Sequence, residues 1–160
     1  MRTTLRRSAI LLMMLAVSAC FPRVKQPEVR LAGIRVGGLG LRGGQIIAQV
    51  QITNPNSFAL EADEITYDLE VSDPAATSGD RWIDFAEGRF EQDVRIGGGD
   101  TLIVEIPIEF TYAALGGAVR SIMERGTFEY RVKGEVKLQE PIGRDIPYRH
   151  QGNVSLSGVR

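Results

Sequence analysis

The chain has 160 residues, a formal net charge of −1, one cysteine and one histidine. This length is enough for one domain with a single hydrophobic core. A single cysteine excludes an internal disulfide framework, so the core alone must stabilise the fold. The slightly acidic balance argues against nucleic acid as a partner, because nucleic-acid-binding domains carry a clustered excess of lysine and arginine.

The first twenty residues indicate an export signal that ends at the cysteine. Arg2, Arg6 and Arg7 form a basic segment, and the apolar run 9–17 is too short to cross a bilayer as a helix. With the small residues before Cys20, the pattern resembles a bacterial lipobox, whose cysteine receives a diacylglycerol before cleavage. The resemblance implies that Cys20 is the lipidated first residue of the mature protein. The alternative is an ordinary secreted protein with an unrelated cysteine near its cleavage site.

These features divide the chain into a signal peptide at 1–19, a lipidated tether at 20–27 with two prolines, and a domain at 28–160. Loss of the three signal arginines changes the formal charge from −1 to −4, because residues 1–19 contain no acid. Several acyl chains on one residue hold a protein stably at a membrane, so the domain needs no membrane-binding face of its own. Phe21 follows the cysteine in place of the aspartate associated with inner-membrane retention. In a two-membrane bacterium we therefore expect the outer membrane, with the domain facing the periplasm.

Beyond the tether the dominant sequence period is two. Apolar and polar residues alternate in five segments: 46–53, 66–71, 101–111, 128–138 and 146–156. This period predicts half-buried strands. Pro107 has no amide proton, so its strand should lie at a sheet edge or carry a bulge there. The alternation changes phase between Phe85 and Phe90, which predicts a bulge or turn at 86–88.

One segment has a helical period instead. Its apolar residues are Leu115, Ala118, Val119, Ile122 and Met123. Thr111 is the predicted N-cap and Gly126 the predicted residue just after the helix. About seven strands and one short helix predict an all-β, antiparallel sandwich of the immunoglobulin or fibronectin III type, with the helix covering one end.

The strand that begins at Ile46 must end at Asn54-Pro55-Asn56. A residue before proline is pushed to extended geometry, and the Asn54 side chain can accept the amide two residues on. Pro55 fixes its own φ, and Asn56 tolerates the left-handed conformation. We interpret the three residues as a structural turn. A ligand-binding cluster of amides is the alternative.

A family resemblance appears at this turn and continues along the chain. Its elements are the strand ending in residues 54–58, the segment 65–69, a glycine before Phe90, the strand at 106–108, a helix, and the segment 130–134. Together they resemble the late-embryogenesis-abundant group 2 family, also called the water-stress and hypersensitive-response domain, over roughly residues 28 to 157. The resemblance implies a folded immunoglobulin-like sandwich with a role in desiccation or other stress. The long loop at 73–80 departs from the family pattern.

We find no catalytic, cofactor or metal constellation in the sequence. His150 is the only histidine, and its place in a strand row predicts a packed or rim residue rather than a general base. The glycines at 38–43 match a dinucleotide-binding spacing, but a strand follows them where phosphate binding needs a helix. They predict a hairpin turn. The sequence therefore favours a protein that is not an enzyme and has no cofactor.

Trp82 remains with two interpretations. It either packs at the end of the sandwich or forms a candidate partner patch with Phe85. The predicted function is a membrane-anchored, desiccation-protective domain that makes weak contacts with partly unfolded envelope proteins or with dehydrating membrane surfaces. The alternative is an adaptor in a cell-envelope complex, which would bind one partner through a strand edge or the Trp82 patch.

Overall fold

The computed structural model describes residues 24–73, 75–76, 81–139 and 141–155. Seven strands are present: β1 (Glu28–Leu39), β2 (Gly43–Thr53), β3 (Leu60–Ser72), β4 (Trp82–Ile96), β5 (Thr101–Thr111), β6 (Thr127–Leu138) and β7 (Arg144–Ser155). Two short helices, α1 (Tyr112–Leu115) and α2 (Ala118–Arg125), lie between β5 and β6. The predicted all-β class is confirmed. Cys20 and the signal segment lie outside the described residues.

The strands form two antiparallel sheets, one in the order β1-β2-β5 and the other in the order β4-β3-β6-β7. The pairing of β2 with β5 is continuous from Gly43 opposite Thr111 to Thr53 opposite Thr101. β5 is an edge strand, as Pro107 requires, because a proline cannot donate to a second neighbour.

The core lies between the two sheets and consists of the inward-facing rows that the period of two predicts. The largest fully enclosed apolar side chains are Val50, Ile52, Leu60, Ile65, Leu69, Val71, Ile96, Ile106 and Val136. Each contributes about 1.5–3 kcal/mol through removal of its surface from water. The polar residues of β2 and β5 remain at least partly exposed, so the predicted phase of these two strands is confirmed.

Three tyrosines of the four-stranded sheet each lie directly opposite a glycine on the neighbouring strand. The pairs are Tyr67 with Gly88, Tyr148 with Gly134, and Tyr130 with Gly152. Such pairs let an aromatic ring cover the backbone where a side chain is missing. The Tyr148 hydroxyl crosses Gly134 and donates to the Thr66 carbonyl at 2.8 Å. Burial, followed by the nearby Tyr67 hydroxyl, raises the pKa of Tyr148.

The helical segment differs from the prediction in one respect. Two helices replace the single one, because Gly116 adopts a φ of +53° and interrupts the first after one turn. Thr111 precedes α1, but its side chain makes no capping hydrogen bond, and Gly117 occupies the position before α2. Gly126 ends α2 in the left-handed conformation with a φ of +67°, as predicted.

The phase change in β4 also has a different origin. The strand is continuous and makes no turn at 86–88. Leu69 lies opposite Ala86 and Glu70 opposite Asp84, so Phe85 is the extra residue of a bulge. A second shift lies between Glu91 and Val94. The predicted bulge therefore exists one residue earlier, and two irregularities reset the alternation where one was expected.

The two ends of the sandwich differ, and we name them by their contents. The tether end contains residues 54–58 and the turn 97–100, and the helix end contains the hairpin tip 40–42, α1 and α2. β1 starts at the tether end with Glu28 opposite Thr53. Its 12 residues span about 40 Å to the helix end. Within the described ranges, the helices are all too short or too polar to cross a membrane.

Candidate functional site

Asn54 is fully buried at the tether end and joins three segments of the chain. Its Nδ2 atom donates to the carbonyls of Phe58 at 2.7 Å and Gly97 at 3.0 Å, with a longer contact of 3.3 Å to Ile96. Its backbone amide donates to the carbonyl of Asp100 at 2.9 Å. Asn54 therefore holds the end of β2 to the turn between β4 and β5.

Asn56 extends this cluster to the tether. Its backbone amide donates to Asn54 Oδ1 at 3.0 Å, which is the Asx turn that the sequence predicts. Its side chain pairs with the backbone of Lys25 in both directions: Lys25 N donates to Oδ1 at 2.7 Å, and Nδ2 donates to the Lys25 carbonyl at 2.9 Å. Asn56 thus fixes the last part of the tether against the domain.

The predicted left-handed conformation of Asn56 is wrong. All described residues with a positive φ are glycines. The turn does not need a left-handed residue, because the Asn54 side chain closes it and Lys25 holds Asn56 from the other side. The donors and acceptors of both amide groups have partners inside the protein, Asn54 Oδ1 accepting a second bond from Asn56 Nδ2 at 3.1 Å. This geometry serves the fold and leaves no amide free for a ligand.

The structure does not bring Trp82 and Phe85 into one patch. Phe85 is only 8% exposed and packs in the core, with its ring centroid 4.9 Å from that of Phe110. Trp82 is half-buried and contacts two cations. The guanidinium of Arg131 in β6 lies 4.7 Å from its ring centroid, and that of Arg81, the residue before β4, lies 5.6 Å from it. The joint patch is therefore wrong, and only Trp82 remains a surface candidate.

Opposite charges alternate on the strands next to Trp82. Arg131 bonds both carboxylate oxygens of Glu70, one of them at 2.6 Å, and Lys133 bonds Asp68 at 2.8 Å. The bonds from Arg131 lower the pKa of Glu70, and the bond to Asp68 raises the pKa of Lys133. Arg131 and Lys133 are therefore each balanced by a carboxylate of β3, and these two pairs do not form a patch of one sign.

His150 and the glycine run at 38–43 lie in the structural positions that the sequence predicts. His150 is exposed, with its ring centroid 6.0 Å from that of Tyr130, which fits the predicted rim position. The glycine run forms the predicted hairpin, closed by a bond of 2.7 Å from Gly40 N to the Gly43 carbonyl. Among the described residues, the histidine, aspartate and glutamate side chains form no group of three that could hold a metal ion.

The helix end contains a feature that the sequence did not predict, a half-open cavity of about 40 Å³. Its walls come from both sheets and both helices and include Phe85, Phe110, Leu115 and Ile122. Two of its lining residues are exposed, Leu39 at 42% and Met123 at 48%, and Leu41 at the hairpin tip of the same end is fully exposed. The sequence signal for an apolar surface at this end was the pair of leucines, Leu39 and Leu41, inside the glycine run. Neighbouring apolar residues that remain exposed mark an interaction surface.

The two antiparallel sheets form an immunoglobulin-like sandwich with a buried asparagine turn at one end. Residues 49–152 match the family model described as late embryogenesis abundant protein. The chain belongs to this family. Membership associates it with water stress and with a non-enzymatic role. The match begins inside β2 and ends inside β7, so it covers most of the sandwich.

Solved structures support the fold. A solution structure of a protein from Arabidopsis thaliana has a TM-score of 0.65 at 18% identity and covers 86% of this chain and 87% of its own. A solution structure titled as a late embryogenesis abundant (LEA) protein has a TM-score of 0.58 at 18% identity, with 97% and 88% covered. A crystal structure of a protein from Archaeoglobus fulgidus has a TM-score of 0.54 at 10% identity, with 82% and 95% covered. No curated protein sequence matches significantly.

Proposed function

We propose that the protein is a lipoprotein, anchored through Cys20, whose domain protects the cell envelope during water loss by weak non-covalent contacts. The observation that carries the proposal is the family match over residues 49–152. The anchor follows from the lipobox pattern that ends at Cys20. In a two-membrane bacterium Phe21 after the cysteine favours the outer membrane, with the domain in the periplasm.

The geometry of the tether end is compatible with such an anchor. Lys25, whose backbone is paired with Asn56, lies five residue steps after Cys20. An extended chain spans about 3.3–3.6 Å per residue, so the anchored end of the domain would stay within about 18 Å of the lipid. The helix end would then project about 40 Å further into the aqueous space, the length of β1.

The anchor is tested by Cys20→Ser in living cells. We expect the variant to lose the mass of the acyl groups and to leave the membrane fraction or accumulate as uncleaved precursor, because no other segment offers comparable apolar burial. Phe21→Asp is the matched control, which should keep the lipid and shift the protein to the inner membrane. Unchanged mass and fractionation of the Cys20→Ser protein would refute the anchor.

The protective activity is tested with lactate dehydrogenase dried and rehydrated beside liposomes that carry the protein. We expect more recovered enzyme activity than with liposomes carrying an equal mass of an unrelated lipidated β-sandwich. The reason is that weak contacts with exposed apolar surface slow aggregation as water is removed. Equal recovery in the two samples would contradict the proposed function.

An adaptor role is the second candidate, and the free edge of β4 favours it. β4 is the terminal strand of its sheet and has 15 residues. An extended peptide could add to such an edge through main-chain hydrogen bonds. An adaptor would retain one partner at a fixed stoichiometry after washing, whereas a protective domain would retain a changing set of proteins at low occupancy.

A further inference from the structure

We propose that the cavity at the helix end binds apolar side chains of partly unfolded polypeptides. The inference rests on the proposed function and assigns a site to it. The site consists of the cavity wall at Phe110, Ile122 and Val119 and of the exposed residues Met123 and Leu39 beside it.

The chemistry of the wall selects an apolar occupant. The lining residues are aliphatic or aromatic, and the one hydroxyl among them, that of Tyr112, donates to the Gly40 carbonyl at 3.0 Å. A polypeptide backbone inside the cavity would lose its hydrogen bonds to water without replacement. A hydrocarbon side chain loses none, so its peptide would stay at the rim in contact with water.

The size of the cavity points to a side chain rather than a whole ligand. Its volume is about 40 Å³. Cavities that take up benzene have about 150 Å³. The space therefore accepts the end of one leucine or methionine but not an acyl chain of a lipid.

The wall on the α2 side is suited to adjust around different side chains. α2 has eight residues, lies between Gly117 and Gly126, and has no side-chain cap at its first turn. A helix of this length has little stability of its own and depends on its packing. Met123 adds a flexible side chain to the rim, and methionine surfaces adapt to varied apolar partners.

The position of the site favours polypeptide over membrane lipid or a second copy of the chain. β1 carries the chain from the tether end to the helix end over about 40 Å, so the site would face away from the anchoring bilayer. Stable dimers bury at least about 1,200 Å² in total. The exposed large apolar residues here are only Leu39, Leu41 and Met123 among the described residues, too few for such an interface.

The test uses the lipidated protein in nanodiscs and two soluble fluorescent peptides of twelve residues. One peptide has leucine at every third position in a glycine and serine background, and the other has asparagine at those positions. We expect the leucine peptide to bind at least tenfold more tightly in anisotropy titrations, after subtraction of empty nanodiscs. Met123→Glu and Val119→Phe should each weaken its binding at least fivefold, the first by charging the rim and the second by filling the cavity.

Ile103→Glu is the matched control, because Ile103 is 51% exposed on another surface of the sandwich and should change binding less than twofold. Melting temperatures show that each variant remains folded. Equal weakening by Ile103→Glu, or no preference for leucine, would overturn the inference. So would a concentration-dependent dimer that Met123→Glu dissolves, or stoichiometric palmitate binding that displaces the peptide. The drying assay with lactate dehydrogenase is scored separately, so failure of the site and failure of the protective function are distinguishable.

Discussion

Replacement of Asn54 by alanine tests whether the asparagine turn stabilises the fold through its buried hydrogen bonds and is not a ligand site. The side chain donates to the carbonyls of Phe58 and Gly97, with a longer contact to that of Ile96, and accepts two bonds from Asn56. Each hydrogen bond contributes about 1 kcal/mol net, and a buried group left without a partner costs about 1–3 kcal/mol. Allowing for relaxation of the turn, we expect Asn54→Ala to lower the free energy of unfolding by about 3–4 kcal/mol, a large part of the 5–15 kcal/mol typical of a domain.

Urea titration of the wild type, Asn54→Ala and Asn153→Ala measures this loss. Asn153 is an exposed asparagine of β7, so its replacement should change the free energy of unfolding by less than about 0.5 kcal/mol. Asn54→Asp replaces the Nδ2 donor by an oxygen that faces carbonyl oxygens, so we expect at least the same loss at pH 7. Burial raises the pKa of the introduced carboxyl, so part of this loss should be recovered as the pH falls. Asn54→Ala with wild-type stability would show that the buried hydrogen bonds of Asn54 do not stabilise the domain.

Three further substitutions test the sheets. Gly134→Ala places a methyl group against the Thr66 carbonyl, closer than a Cβ atom can approach, and should cost about 3 kcal/mol in urea titrations. A cost below about 1 kcal/mol would mean that the strands are further apart. Tyr148→Phe removes the hydrogen bond to the Thr66 carbonyl, so below about pH 10 the variant should be less stable than the wild type by about 1 kcal/mol. Because the pKa of Tyr148 is raised in the folded state, the wild type should lose this advantage as the pH rises above about 10. Glu70→Gln should cost about 0.5–1.5 kcal/mol at pH 7. Because the pKa of Glu70 is lowered in the folded state, the difference in free energy of unfolding between wild type and variant should vanish as the pH falls below about 4. A difference that does not change with pH would exclude the ion pair with Arg131 as its source.

The strands and the fold class were predictable because their signals are local. In β5 the alternation of Val104, Ile106 and Ile108 with polar residues fixes which face is buried, whatever the partner strand. Pro107 adds the edge position for the same reason, since it removes one donor regardless of context. Gly126 was predictable as a helix end because only glycine adopts its left-handed backbone cheaply.

The predictions that were wrong, and the cavity that was missed, depend on contacts between distant segments of the chain. Asn56 bonds Lys25, which lies 31 positions earlier in the chain, so propensity alone favoured a left-handed turn that the fold does not use. Phe85 is buried because the register of β3 and β4 contains a bulge at that residue, and a short sequence window does not fix register. The cavity needs side chains from both sheets and both helices, and none of these elements signals it alone.

Survival of drying shows in living cells whether the anchored domain protects the envelope. A strain lacking the protein would be dried and rehydrated beside strains that produce the wild type, Cys20→Ser or Ile103→Glu at equal amounts. We expect deletion to lower the number of viable cells. The wild type and Ile103→Glu should restore it, and the unanchored Cys20→Ser protein should not. Deletion without any loss of viability, or full rescue by Cys20→Ser, would contradict an anchored protective domain.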